Sequence, residues 1–222
     1  MGKIASSSSS APRWQRQPEE RPGQILDAAL AVFRAQGFGA ARMDEIAKKA
    51  GISKGTIYLY FESKNALLEA LIDRAMAPVA AQLKVMADTV QQGPVTPSLR
   101  AMLSFAAKRI SDPKTGAVPL LVISEAGQFP ELAKLYRTQV IDVGLGAITD
   151  LIARGVKSGE FRPFNPVHAA RLLVAPMMMQ IVWSGIFAQP SDPPLDSRAL
   201  IELHLDIFLN GALNPKSQEV SS

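Results

Sequence analysis

The chain has 222 residues, with 24 Lys and Arg against 20 Asp and Glu, two His, no Cys, and 47% hydrophobic residues. That length buries a substantial core as one domain or two small ones. The missing cysteines exclude a disulfide framework, thiolate catalysis and thiolate metal sites, and His168 and His204 alone cannot build a histidine-rich centre, so neither a metal nor a cofactor is expected.

Residues 1–70 hold ten basic and seven acidic side chains, so three of the four net positive charges fall there. The direction suits a nucleic-acid partner, but the size is too small to argue from alone. With no cysteine framework and no signal sequence, a cytoplasmic protein is expected.

In chain order, residues 1–20 (MGKIASSSSSAPRWQRQPEE) read as a disordered tail. Lys3, Arg13 and Arg16 there could track phosphates beside a docked domain, or simply be solvated, which Glu19 and Glu20 favour. A first helix carries Ile25, Ala29, Val32 and Phe33 at helical spacing and is expected to end at Gly37. Met43 to Ala50 is a short amphipathic helix stopped by Gly51. Ser53 then caps a helix over Lys54 to Phe61, with Ile57 and Phe61 inward and Lys54, Thr56, Tyr58 and Tyr60 outward. Phe38 and Phe61 should close a three-helix core over Ile46 and Ile57.

A fourth helix starts at the Ser63 cap and runs through Leu67, Leu68, Leu71 and Ile72 towards Leu83, with Pro78 bending it. Lys64 lies at its positive end, where a cation is out of place unless an anion sits there. A short helix offering donors after a glycine turn has the geometry that enters a DNA major groove.

Further helices are expected over residues 99–110, 118–127, 130–157, 167–187 and 197–209, the last ended by Asn210 and Gly211. The fold class is therefore all-α, with about nine helices. Residues 21–66 form a three-helix helix-turn-helix domain, 67–213 a larger bundle, and 214–222 a flexible tail. The apolar stretch 172–187 contains Pro176, Gln180 and Ser184 and is too short and interrupted for a membrane span.

The last helix is apolar on two sides, with Leu200, Leu203 and Ile207 on one face and Ile201, Leu205 and Phe208 on another. Such a helix needs burial on both, one side in its own domain and one against a partner chain. Leu200, Leu203, Ile207 and Phe208 are the candidate dimer residues. The bundle is also rich in Met and aromatics, which at helical spacing serve either a core or an adaptable apolar pocket. Met102, Phe105, Met178 and Trp183 are the candidates to line such a pocket for a small apolar ligand, and Arg109, Glu125, Arg137 and His168 the polar groups that could orient it.

The run AGISKGTIYLYFESKNALLEA resembles the DNA-binding signature of the TetR/AcrR family of bacterial transcriptional regulators. ILDAALAVFRAQGF and MDEIAKKAG resemble that family's first helix and first helix-turn-helix helix, so the likeness spans about residues 21–72. It implies a homodimer that binds a palindromic double-stranded DNA operator and is released by a ligand in the larger domain, with repression as the family-level expectation. It also implies roles for single residues. Lys54, Thr56 and Tyr58 fall where family members meet base edges and phosphates, and Tyr60 and Lys64 where they grip phosphates. Gly55 permits close backbone approach, and the Ser53 amide can reach phosphate. Arg42 stands where relatives carry threonine, which keeps a phosphate contact but removes the expected N-cap, and Asp44 stands where relatives are often basic.

An enzyme is disfavoured. The chain has no Gly-x-Ser-x-Gly elbow, P-loop or His-Glu-x-x-His, and Gly144-x-Gly146 lies inside a predicted helix. The alternative is a helical small-molecule-binding or scaffold protein with a vestigial DNA-binding domain. Arg42 and Asp44 hint at it; Lys54, Tyr58, Tyr60 and Lys64 oppose it.

Overall fold

The computed structural model describes residues 20–90, 92–193 and 196–213; the expected tails over 1–20 (apart from Glu20) and 214–222 lie outside them. The helices are α1 (Arg21–Ala40), α2 (Met43–Lys49), α3 (Lys54–Tyr58), α4 (Lys64–Ala75), α5 (Ala77–Thr89), α6 (Thr96–Ile110) and α7 (Pro113–Glu125). They continue as α8 (Pro130–Tyr136), a π turn (Arg137–Ile141), α9 (Asp142–Ser158), α10 (Pro166–Val182) with a closing π turn (Trp183–Phe187), and α11 (Ser197–Ala212). Only Met76 separates α4 from α5, and its amide still bonds the Ile72 carbonyl. The π turn joins α8 to α9 without a gap. Among the described residues these segments therefore make nine rods, three in the first domain and six in the bundle. The fold is all-α, with a single bridge among the described residues, pairing Phe161 with Leu213.

Several helix ends differ from the sequence reading. The first helix does not end at Gly37 but kinks there, at φ 81 and ψ 159, a region open only to glycine. The kink takes the Phe38 amide out of the helical ladder, and the Glu125 carboxylate of α7 accepts it at 3.1 Å. The recognition helix is five residues rather than eight, leaving Phe61 just beyond it and half-buried. Helix α6 begins at Thr96, and α7 at Pro113, where Asp112 caps the amides of Lys114 and Thr115. Bonds from those Thr115 donors hold the Asp112 carboxyl below its ordinary range. Helix α11 runs through Asn210 and Gly211, because Leu209 and Ala212 are buried and the Ala212 carbonyl accepts from the Arg162 amide at 2.9 Å. Packing outweighs the local stop signal there.

Two cores form. The first joins Ile25, Phe33, Phe38, Ile46 and Ile57 of the small domain to Leu68 of α4 and to Val118, Leu121, Leu132 and Tyr136 of α7 and α8. The second fills the bundle around Leu99, Met102, Leu151, Leu173 and Leu205. The first core thus crosses the boundary at residue 66. Polar contacts tie the same seam. Asp27 of α1 pairs with Arg74 of α4 at 2.7 Å and Lys114 of α7 at 2.6 Å, and Arg74 also donates to the Gly23 carbonyl at 3.0 Å. Burial pushes the Asp27 pKa up, but the Lys114 and Arg74 bonds outweigh it and leave the carboxyl below its usual range.

Candidate DNA interface and ligand cavity

An isolated five-residue helix is unstable in water, so α3 depends on its ends and its one buried side chain. The Ser53 hydroxyl accepts from the Thr56 amide at 3.1 Å and lies 2.8 Å from the Thr56 hydroxyl. Ile57 is fully buried and anchors the helix to the first core. That anchoring turns the opposite side out: Lys54 and Gly55 are exposed, Tyr58 is 46% and Tyr60 40% exposed, and Thr56 is half-buried. Leu59, not singled out from the sequence, is the most exposed large apolar residue here, at 83%. An apolar side chain left open between two tyrosines is suited to contact with a thymine methyl or a sugar.

Arg42, exposed, occupies the N-cap of α2, and its guanidinium has no acceptor to offer the helix. Glu45 supplies half of a capping box instead, accepting the Arg42 amide at 3.2 Å while Gln36 holds the same carboxylate oxygen at 2.7 Å. Asp44 lies 3.5 Å from the Arg42 guanidinium and 3.7 Å from the Lys54 ammonium. A bond from its own backbone amide, with the Lys54 and Arg42 charges adding, holds its carboxyl below the ordinary range. The carboxylate therefore occupies two of the cations that the sequence assigned to phosphate.

Lys64 is half-buried. Its ammonium donates to the Phe38 carbonyl at 2.8 Å and the Gly39 carbonyl at 2.7 Å, and sits 4.8 Å from the Phe38 ring centroid and 6.0 Å from that of Phe129. The cation at the start of α4 is stabilised by the exposed carbonyls of the last turn of α1. Two of the three ammonium protons are thus engaged.

In the bundle, an apolar cavity of about 240 Å³ lies between α5, α6, α9 and α10, with Met76, Tyr136 and the π turn completing its wall. Of the four candidate lining residues, Met178 is on the wall. Met102 is fully buried in the second core, Phe105 packs half-buried against it, and Trp183 is largely exposed beside Phe187, their rings 5.9 Å apart. Arg109, Glu125, Arg137 and His168 do not line the cavity. Residues not foreseen build most of it, including Val79, Leu83, Leu103 and Val140; Tyr136 and Met177 belong to the Met and aromatic set from which the sequence could not choose. The legible signal was the small pair Ala80 and Gly144. A Cβ on Gly144 would meet Leu83 at 3.5 Å and Ala80 at 3.7 Å, so α9 approaches α5 closely beside the void.

On α11, Ile201, Leu205 and Leu209 are buried, while Leu203 (58%) and Ile207 (63%) stand exposed. Leu200 is half-buried, and Phe208 packs partly against the second core. Leu172, Met179, Ile186 and Phe187 of α10 and its π turn are exposed as well. The segment Pro166–Phe187 is long and apolar enough to cross a membrane by length and composition. Leu172 of α10 and Ile207 and Phe208 of α11 line one surface pocket between the two helices.

A capped recognition turn on a three-helix head, joined to a helical bundle with an apolar cavity, defines a helix-turn-helix regulator. Residues 25–71 match the family model of bacterial regulatory proteins of the tetR family, and residues 89–194 match the tetracyclin repressor-like C-terminal domain. The chain is 30% identical over 188 residues to the HTH-type transcriptional activator FasR of Mycolicibacterium smegmatis, covering 83% of this chain and 79% of that one. SmeT, the repressor of a Stenotrophomonas maltophilia multidrug efflux pump, superposes in its triclosan complex with TM-score 0.72 at 22% identity, over 88% of this chain and 92% of SmeT. FadR of Bacillus subtilis with stearoyl-CoA superposes with TM-score 0.62 at 21% identity, over 85% of this chain and 98% of FadR.

This chain belongs to the TetR family of transcriptional regulators.

Proposed function

We propose that the protein is a ligand-responsive repressor that binds a palindromic DNA operator as a homodimer and is released by a small, mostly apolar molecule. The observation that carries the reading is the outward face of α3 and the turn after it, where Lys54, Tyr58 and Tyr60 are exposed opposite a fully buried Ile57. In this reading Lys54, Thr56 and Tyr58 meet base edges and phosphates. Ser53, Tyr60, Arg42 and the remaining proton of Lys64 hold the backbone, and Gly55 keeps the approach open. A dimer through Leu200, Leu203, Ile207 and Phe208 places two such helices on one duplex.

Ligand in the cavity works by population shift. It favours a spacing of the two heads that no longer fits the operator, and a differential affinity of a few kcal/mol between states suffices. The apolar wall supports an apolar ligand, and the neighbour solved with triclosan is in keeping with it; of the stearoyl-CoA bound to FadR only the acyl chain is, the CoA part being a polyanion. Repression rather than activation follows the wider family expectation, although FasR is named an activator. A cytoplasmic location accompanies this function.

The test is fluorescence anisotropy with the DNA upstream of the protein's own gene and a scrambled duplex. Tight binding to the first alone at physiological salt, reversed by apolar ligands, is the expected result. Equal weak binding to both would favour the second reading, a ligand-binding protein with a vestigial head. That reading has its own support in the internal pairing of Arg42, Lys54 and Lys64. A genome-wide binding selection then separates a lost head from an operator located elsewhere.

A further inference from the structure

The cavity wall carries one side chain with a conventional hydrogen-bonding group. Of its seventeen lining residues, sixteen are Ala, Val, Leu, Ile, Met or Gly; the other is Tyr136. Tyr136 is buried to 7% exposure, and its hydroxyl is not among the buried polar atoms that lack a partner, which among the described residues are Gln139 Oε1 and Arg154 Nε; with no protein hydrogen bond to it, the hydroxyl keeps a small accessible surface. Burial pushes that phenol's pKa far up, so it is a neutral donor at any working pH. A hydroxyl that no protein group holds, on an otherwise apolar wall, is free to donate to a ligand acceptor.

The backbone at this point is also unusual. The α8–α9 rod passes through the π turn Arg137–Ile141, and Tyr136, Val140 and Ile141 all line the cavity. In a regular α-helix, residues five apart lie on different faces. The wider turn brings Tyr136 and Ile141 onto one wall, and single π turns of this kind recur at functional sites. Tyr136 also packs in the core shared with the DNA-binding head. A ligand bound to it thus touches an element that both domains hold.

From these observations we infer that the cavity selects an uncharged, chain-like or compact apolar ligand bearing one hydrogen-bond acceptor, and that the Tyr136 hydroxyl is the specificity-determining donor to it. The inference rests on the reading of the cavity as the ligand site. No Lys, Arg or His lines the wall to neutralise an anion. An ionised carboxylate brought to Tyr136 would lose its hydration for a single neutral bond, which makes its burial strongly unfavourable. An alcohol, ketone or ester loses far less and recovers it from the hydroxyl.

The experiment uses the full chain with ¹³C-methyl methionine. Met76 and Met177 line the cavity and are buried, whereas Met43 and Met102 are buried elsewhere and serve as internal controls. The probes are decane, 1-decanol, 2-decanone and decanoate at pH 8, titrated into wild type and Tyr136→Phe. The variant keeps the ring, and its fold is checked by thermal melting.

Decanol and decanone should shift the Met76 and Met177 methyls but not those of Met43 and Met102, and bind more tightly than decanoate. Tyr136→Phe should weaken decanol and decanone by roughly three- to tenfold, the worth of one neutral hydrogen bond, while leaving decane unchanged. Decanoate binding as tightly as decanol, or a decanol-to-decane ratio unaltered in the variant, would overturn the inference while the cavity still stands as a binding site. Cavity methyls that stay unshifted with every probe, decane included, would instead overturn the cavity reading itself.

Discussion

The DNA-binding head and the bundle solve opposite problems with the same helices. The head holds a five-residue helix in place by a serine cap, one buried isoleucine and a glycine kink, then spends its outer surface on polar and aromatic groups. The bundle uses long helices with ample packing, and leaves unfilled volume inside and apolar surface outside. The head is therefore specified residue by residue, and the bundle by pattern. The two are not separable bodies, since Phe38 and Tyr136 belong to one core and Asp27, Glu125 and Lys64 bond across or beside the seam.

The sharpest way to break this picture is to cut the shared core. Phe38 is fully buried and meets Phe33 and Phe129 edge-on, at 5.1 and 5.0 Å. Phe38→Ala should cost about 3–5 kcal/mol and lower a single calorimetric transition for the whole chain. Two separated transitions, with only the first shifted, would show that the head folds alone.

Charging the outer face of the bundle should leave the fold and remove the assembly. Leu203→Glu with Ile207→Glu is expected to give a monomer in sedimentation and a loss of operator affinity on the order of 100-fold, because each head then binds without its tethered partner. A dimer that persists would move the interface off α11.

Within the head, the two kinds of contact should separate. Tyr58→Ala is expected to cost about 1–3 kcal/mol of operator binding, read by anisotropy, with the melting temperature unchanged. Lys64→Ala should do the reverse. It strips two carbonyls of their donor and destabilises the fold by about 1–3 kcal/mol, while the salt slope of binding falls by at most about one. An unchanged melting temperature would reduce Lys64 to a phosphate contact alone.

The smallest effect is expected at Asp44. Like any exposed aspartate it is ionised throughout the neutral range, so it competes with phosphate for Arg42 and Lys54. Asp44→Asn should tighten DNA binding severalfold at low salt and hardly at all at high salt, where exposed pairs are screened. Equal tightening at both would mean the carboxylate clashes with DNA directly.

Much of the head was legible because its signals are local. The Ser53 and Ser63 caps, the Gly51 stop, the buried Ile57 and the outward Tyr58 and Tyr60 each follow from side-chain chemistry within four residues of the position concerned. Non-local partners were not legible. That Lys64 would find the carbonyls at 38 and 39, or that Gly37 would kink rather than stop a helix, depends on Glu125 and Phe129 arriving from far along the chain. The pocket candidates show the same limit. Met102 and Met178 were both candidates by residue type and helical position, but the first fills the core and the second faces the cavity.

By itself, then, the sequence determined that the chain is all-helical, which family it belongs to and which face of α3 looks outward, because helical periodicity and capping are short-range. Only the tertiary structure decided where space is left over, which cations are already occupied and how the head is welded to the bundle. Those depend on the packing of helices remote in the chain, and no local pattern encodes which side chains meet there.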